Sequence, residues 1–164
     1  MLSETSPKAA SRLFTATILA SAAGIFFGIY FLFVDPEMAI RIATALMVGV
    51  VGLLSFLRHS VFYQSDQSRL ALAQENPQFQ IEVGLANLSM GGAALVASLS
   101  GWGSRACGMI LLIYGLYISC TSLLHIREAL HLTGKKEHSL ARIANLVIFA
   151  LALLGFSVIA LHGA

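Results

Sequence analysis

The chain has 164 residues, of which 57% are hydrophobic and 11% charged, and its mean hydropathy is +0.82. A water-soluble domain carries about a quarter charged residues, so most of this chain is read as solvated by lipid. The net charge of +2 comes without a basic run interleaved with aromatics, which excludes nucleic acid as an expected partner.

Roughly 20 apolar residues cross a hydrocarbon core. Five such runs follow one another, and helices are expected over about 13–34, 38–59, 80–100, 104–129 and 141–162, with a loop over 60–79. The fold class is therefore an all-α, five-helix polytopic membrane bundle forming one domain. Helix one follows Lys8 and Arg12. Ala20-Ser21-Ala22 has the small-residue look of a signal-peptide cleavage site, but only seven residues separate Arg12 from Ala20. Cleavage there would leave too few apolar residues to span, so the run is read as a helix.

Asp35-Pro36 separates helices one and two, and helix two runs out at Arg58-His59. In the loop that follows, Ser68 to Gln74 is expected as a short interfacial helix, stopped at Asn76-Pro77. Asp66 is seven residues beyond His59. On a continued helix the two would share a face about 10 Å apart, too far for one shared ion without a bend. Gly101-Trp102-Gly103 marks a tight turn before helix four, and Thr133-Gly134-Lys135-Lys136 breaks the chain before helix five. Cys107 and Cys120, both in helix four, are about 20 Å apart along its axis and cannot pair with each other.

Lysine and arginine set the orientation. Lys8, Arg12, Arg58, Arg69, Arg127, Lys135, Lys136 and Arg142 fall on one side, against Arg41 and Arg105 on the other. The richer side stays in the cytoplasm, so the N-terminus is expected inside and the C-terminus outside, in a bacterial inner membrane. Trp102 and Tyr30 then lie at the outer interface and Phe62 and Tyr63 at the inner one. Glu37 is placed to pair with Arg41 one turn on.

Small residues recur at helical spacing: Ala20, Gly24 and Gly28 on helix one, Ala45 and Gly49 on helix two, and both faces of helix three. They let helix backbones approach closely in lipid. Helix three, small on both faces, is expected at the centre. The small face of helix one suits packing within the chain, a homo-oligomer or a partner membrane subunit.

The polar residues fall near the cytoplasmic end. On helix four, Cys107, Tyr114, Tyr117, Thr121, His125 and Glu128 lie in a stripe about 80° wide, which lipid would not solvate. His125 and Glu128 share a face, and His59 and Glu82 reach the same end from helices two and three. Imidazoles and carboxylates converging from several helices form metal sites in bundles, and this set, His59, Glu82, His125 and Glu128, suits zinc, iron or manganese. Glu82 and His125 are expected to interact directly or through one water or ion. Gln80, Asn87, Asn145, Tyr117 and Thr121 complete the polar cluster. The alternative is a hydrogen-bonded structural collar.

The segment Phe79-Gln80-Ile81-Glu82-Val83-Gly84-Leu85-Ala86-Asn87-Leu88, with His59 before it and Leu124-His125-Ile126 after it, resembles an uncharacterised family of small bacterial membrane proteins. That domain of unknown function has a helix ending in His, a Pro-Phe-Gln-x-Glu…Ala-Asn-Leu segment and a late Gly-His-Ile. Here Gln78 intervenes after Pro77, and Leu124 stands where the family has glycine. The resemblance implies membrane location and no particular activity.

Three functions fit. The first is a structural or accessory membrane protein. The second is a membrane-embedded metal-binding enzyme or redox protein using His59, Glu82 and His125. The third is a proton-coupled transporter or channel subunit using Glu82 and His125. The chain has no Ser-His-Asp order, phosphate loop, CxxCH or HExxH, which favours the first.

Overall fold

The computed structural model describes residues 7–70, 77–131 and 136–163, with side chains at 70 and 128–142 outside that description. The described residues are helical apart from their connections. Six helices result: α1 (Lys8–Leu32), α2 (Pro36–Val61), α3 (Tyr63–Leu70), α4 (Gln78–Leu99), α5 (Ser104–His131) and α6 (Lys136–His162). All but α3 are long and apolar enough to cross a bilayer. The five expected spans are therefore present, though α1 and α6 each begin five residues earlier than expected.

The sequence punctuation acts where it was read. Asp35 caps α2, its Oδ1 accepting from the Met38 N–H at 3.1 Å, with Pro36 as the first helical residue. At the end of α4 Gly101 takes φ +67°, which lets the Trp102 N–H reach back to the Ala97 carbonyl at 3.1 Å. This glycine-dependent stop satisfies a carbonyl that the helix end leaves without a partner.

The central helix is α2, not helix three as the small residues suggested. It contacts α1, α4, α5 and α6. Half of its most apolar window is buried, against 33% for α4 and 11% for α1. Helix three fails to be central because only one of its small faces is used. Gly84, Asn87, Gly91 and Ala94 are buried, while Ala86, Ser89 and Ala93 are exposed. Gly52 of α2 and Gly91 of α4 meet so closely that a Cβ on Gly52 would lie 2.8 Å from the Gly91 Cα and 2.7 Å from the Asn87 carbonyl oxygen. Backbone-to-backbone approach of this kind is what small residues provide in lipid.

The small face of α1 is occupied within the chain: Gly24 lies against Met47, and Gly28 against Phe156. Its large apolar residues, including Leu19, Phe26 and Ile29, point outward. Small and polar groups inside with large apolar groups outside is the pattern expected when hydrocarbon is the solvent. The core joins Met47 and Val51 of α2 to Ala94 of α4, Leu111 of α5, and Leu153 and Phe156 of α6.

Arg41 does not use Glu37 as its hydrogen-bond partner here. Its Nε donates to the Ser98 carbonyl in the last turn of α4 at 2.9 Å, where the negative end of the helix dipole favours a cation.

Candidate functional site

The base of the bundle, the end at which α1 begins, is organised by a carboxylate. The expected loop over 60–79 is partly helical. The last turn of α2, Leu57–Val61, is widened to π geometry, with the Phe62 N–H bonding the Leu57 carbonyl at 2.8 Å. Phe62 then leaves helical geometry (φ −106°, ψ 31°), and α3 starts again at Tyr63. This short helix covers Tyr63–Leu70 and shares only residues 68–70 with the helix expected over Ser68 to Gln74, whose remainder lies outside the described residues. The break folds α3 back, so Asp66 meets the end of α2.

Asp66 is fully buried, the only such carboxylate among the described residues. Its Oδ1 accepts from Nε and Nη2 of Arg69 at 3.0 and 2.9 Å. Its Oδ2 lies 3.2 Å from Nδ1 of His59, accepts from Nε2 of Gln80 at 3.3 Å, and has Arg58 Nε 3.9 Å away. Residues from α2, α3 and α4 therefore converge on one group. The link to α1 is separate. Buried Ser65 accepts the Ala10 N–H at 3.2 Å, satisfying one of the free donors of the α1 N-terminus. The guanidiniums of Arg58 and Arg69 lie 5.4 and 4.8 Å from the centre of the Phe14 ring, within cation–π range.

Burial raises the proton affinity of Asp66. The His59 hydrogen bond and the charges of Arg58 and Arg69 outweigh that effect and hold its carboxyl below the ordinary carboxylate value. The dyad has a defined proton arrangement. Arg58 Nη2 lies 2.8 Å from His59 Nε2, and a guanidinium can only donate. Nε2 must therefore accept, which leaves the proton on Nδ1, facing Asp66. A histidine oriented by a carboxylate is how a general base is built, but here the nitrogen such a base would use is taken by Arg58.

A second polar group lies farther along the bundle. Tyr114 donates to Asn87 Oδ1 at 3.0 Å. Asn87 Nδ2 donates to the Val83 carbonyl at 2.8 Å and, more loosely at 3.4 Å, to the Tyr117 oxygen. The two tyrosine rings stack at 5.9 Å.

The expected site residues are thus divided. His59 and Gln80 join the Asp66 cluster, and Asn87 and Tyr117 form part of the second group. Thr121 returns its hydroxyl to the Tyr117 carbonyl of its own helix at 3.0 Å. Asn145 and Glu82 are exposed, and His125 is half-buried on α5. Glu82 lies about 140° round α4 from Asn87 and about 160° from Gly84, away from the packed face. The Glu128 side chain lies outside the described residues. Among the described residues no three of His, Cys, Asp and Glu are grouped so as to hold a metal ion.

Asp66 was weighed against His59 and set aside as too distant on a straight helix, and Arg58, Arg69, Ser65 and Phe14 were not assigned to the site by the sequence pattern. The i, i+3 spacing of Asp66 and Arg69 was the available signal for the strongest of these contacts. No protein-family model, curated protein or solved structure matches the chain.

Proposed function

We propose that the chain is a structural or accessory protein of a bacterial inner membrane, with its N-terminus in the cytoplasm, its C-terminus outside and its cytoplasmic base braced by Asp66. The observation that carries this reading is how fully Asp66 is engaged. Both of its oxygens accept hydrogen bonds, from Arg69 on one side and from His59 and Gln80 on the other. A carboxylate so held is a brace between helices rather than a free acid, base or ligand. The orientation rests on the eight-to-two distribution of lysine and arginine.

Two measurements test the proposal. A C-terminal alkaline phosphatase fusion is expected to be active and a C-terminal fluorescent-protein fusion dark, and the reverse result overturns the orientation. Elemental analysis of detergent-purified protein is expected to find no stoichiometric zinc, iron or manganese. Stoichiometric metal that is lost in His59→Ala and His125→Ala replaces the structural reading with the metal-site reading.

A further inference from the structure

At the end of the bundle opposite the base, the first turns of α2 and α5 and the last turn of α6 enclose a cleft of about 550 Å³. That volume falls in the range of small-ligand sites, roughly 300–1,000 Å³. Its floor is apolar, formed by buried Ile40 and Ala160. Its rim carries charges of both signs, Glu37 from α2 and Arg105 from α5, with Trp102 beside them. The spans end at this level, so the cleft opens where a bilayer's headgroups would lie.

We propose that this cleft binds the headgroup of a phospholipid that carries a primary ammonium, a phosphoethanolamine lipid. The inference rests on the chain spanning a membrane and is independent of the Asp66 brace. An anionic lipid would leave Glu37 facing a negative group, and a purely cationic ligand would face Arg105. A phosphate joined to an ammonium by two carbons satisfies both. The phosphate lies at Arg105 and at the backbone N–H groups that open α5, where the helix dipole also favours an anion. The ammonium donates to Glu37. The glycerol and first methylenes cover the floor at Ile40 and Ala160, and the indole of Trp102 occupies the interfacial position that tryptophan favours.

Trp102 is the single tryptophan of the chain and reports on the cleft directly. The test is fluorescence titration of delipidated full-length protein in detergent with short-chain phosphatidylethanolamine, phosphatidylcholine or phosphatidylglycerol. A saturable change with phosphatidylethanolamine is expected. Binding should be about tenfold weaker with the other two, on the scale of one charge-assisted hydrogen bond, because trimethylation or loss of the amine removes the donor to Glu37. Glu37→Gln should erase the preference, and Arg105→Gln should weaken binding of all three, with melting temperatures unchanged in both variants. A flat titration, an equal response to all three lipids or a preference for phosphatidylglycerol overturns the proposal. So does an unchanged preference in Glu37→Gln, or saturation by soluble phosphoethanolamine alone, which would assign a free metabolite rather than a lipid.

Discussion

His59 and Asp66 are seven residues apart in the chain, and 3.2 Å separates Nδ1 of one from Oδ2 of the other. A straight helix would hold them near 10 Å. The widened turn at Leu57–Val61 and the break at Phe62 remove that distance. They also turn α3 so that its one buried carboxylate faces α2 and α4.

Removing that carboxylate leaves Arg69 and the His59 N–H without their shared acceptor and Arg58 without the charge its Nε faces at 3.9 Å. Asp66→Ala is therefore expected to destabilise the protein by about 3 kcal/mol, the lower end for breaking a buried ion pair, because the arginines keep some exposure. Glu82→Ala is expected to change nothing measurable, since Glu82 is exposed on α4. Thermal melting in one detergent compares the two. Equal losses would show that Asp66 is not the group that braces the base.

The pH dependence has a defined sign. Asp66 has its carboxyl held below the ordinary value when folded, so the folded state binds its proton less readily than the unfolded chain does. Its stabilisation is complete above the unfolded value of about 3.9 and is lost as pH falls below it. The melting-temperature difference between wild type and Asp66→Asn is therefore expected to be constant from pH 7 to about pH 5 and to shrink below about pH 4. A difference that grows with acid would reverse the assignment.

The spans and the breaks at Asp35-Pro36 and Gly101-Trp102-Gly103 were legible in the sequence because each depends on local residue chemistry. The centrality of α2 was not. Small residues show which faces permit close approach, but Ala86, Ser89 and Ala93 permit it and remain exposed. Position in a bundle is decided by which permissive faces find one another. Of the residues expected in one polar cluster, His59 and Gln80 lie against Asp66, Asn87 and Tyr117 lie in a second group, and Glu82 is exposed. Asp66 was set aside on the straight-helix distance to His59, because helix periodicity continues through Phe62 while the backbone does not. The widened turn and the break at Phe62 carry no Gly or Pro, the residues that mark a turn in sequence.

The α2–α4 contact makes a prediction with an internal control. A methyl group on Gly52 meets the Asn87 carbonyl oxygen at 2.7 Å and the Gly91 Cα at 2.8 Å, both backbone atoms that cannot rotate away. Gly52→Ala is expected to cost about 1–3 kcal/mol as the helices are pushed apart. At Gly92, one residue from Gly91, an added Cβ meets nothing within 4 Å. Gly92→Ala is expected to be neutral or slightly stabilising, since alanine is the better helix former. Unfolding in mixed micelles checks both, and equal behaviour would mean that the helices do not touch at this point.

The Asn87 group separates a close hydrogen bond from a loose one within a single side chain. Tyr114 donates to Asn87 Oδ1 at 3.0 Å from a fully buried position, whereas the Tyr117 oxygen accepts from Nδ2 at 3.4 Å, and Nδ2 already has the Val83 carbonyl at 2.8 Å. Tyr114→Phe removes the donor and leaves Oδ1 without that partner. Tyr117→Phe removes the more distant of the two acceptors that the Nδ2 amide's two N–H groups reach. Interhelical hydrogen bonds in membranes average about 0.6 kcal/mol and reach about 1.7. Tyr114→Phe is expected near the upper value and Tyr117→Phe near zero, while both retain the stacked rings. The double variant should then equal Tyr114→Phe alone. A Tyr117→Phe loss as large as that of Tyr114→Phe would mean that the asparagine depends on both tyrosines, with the amide turned toward Tyr117 as its principal partner.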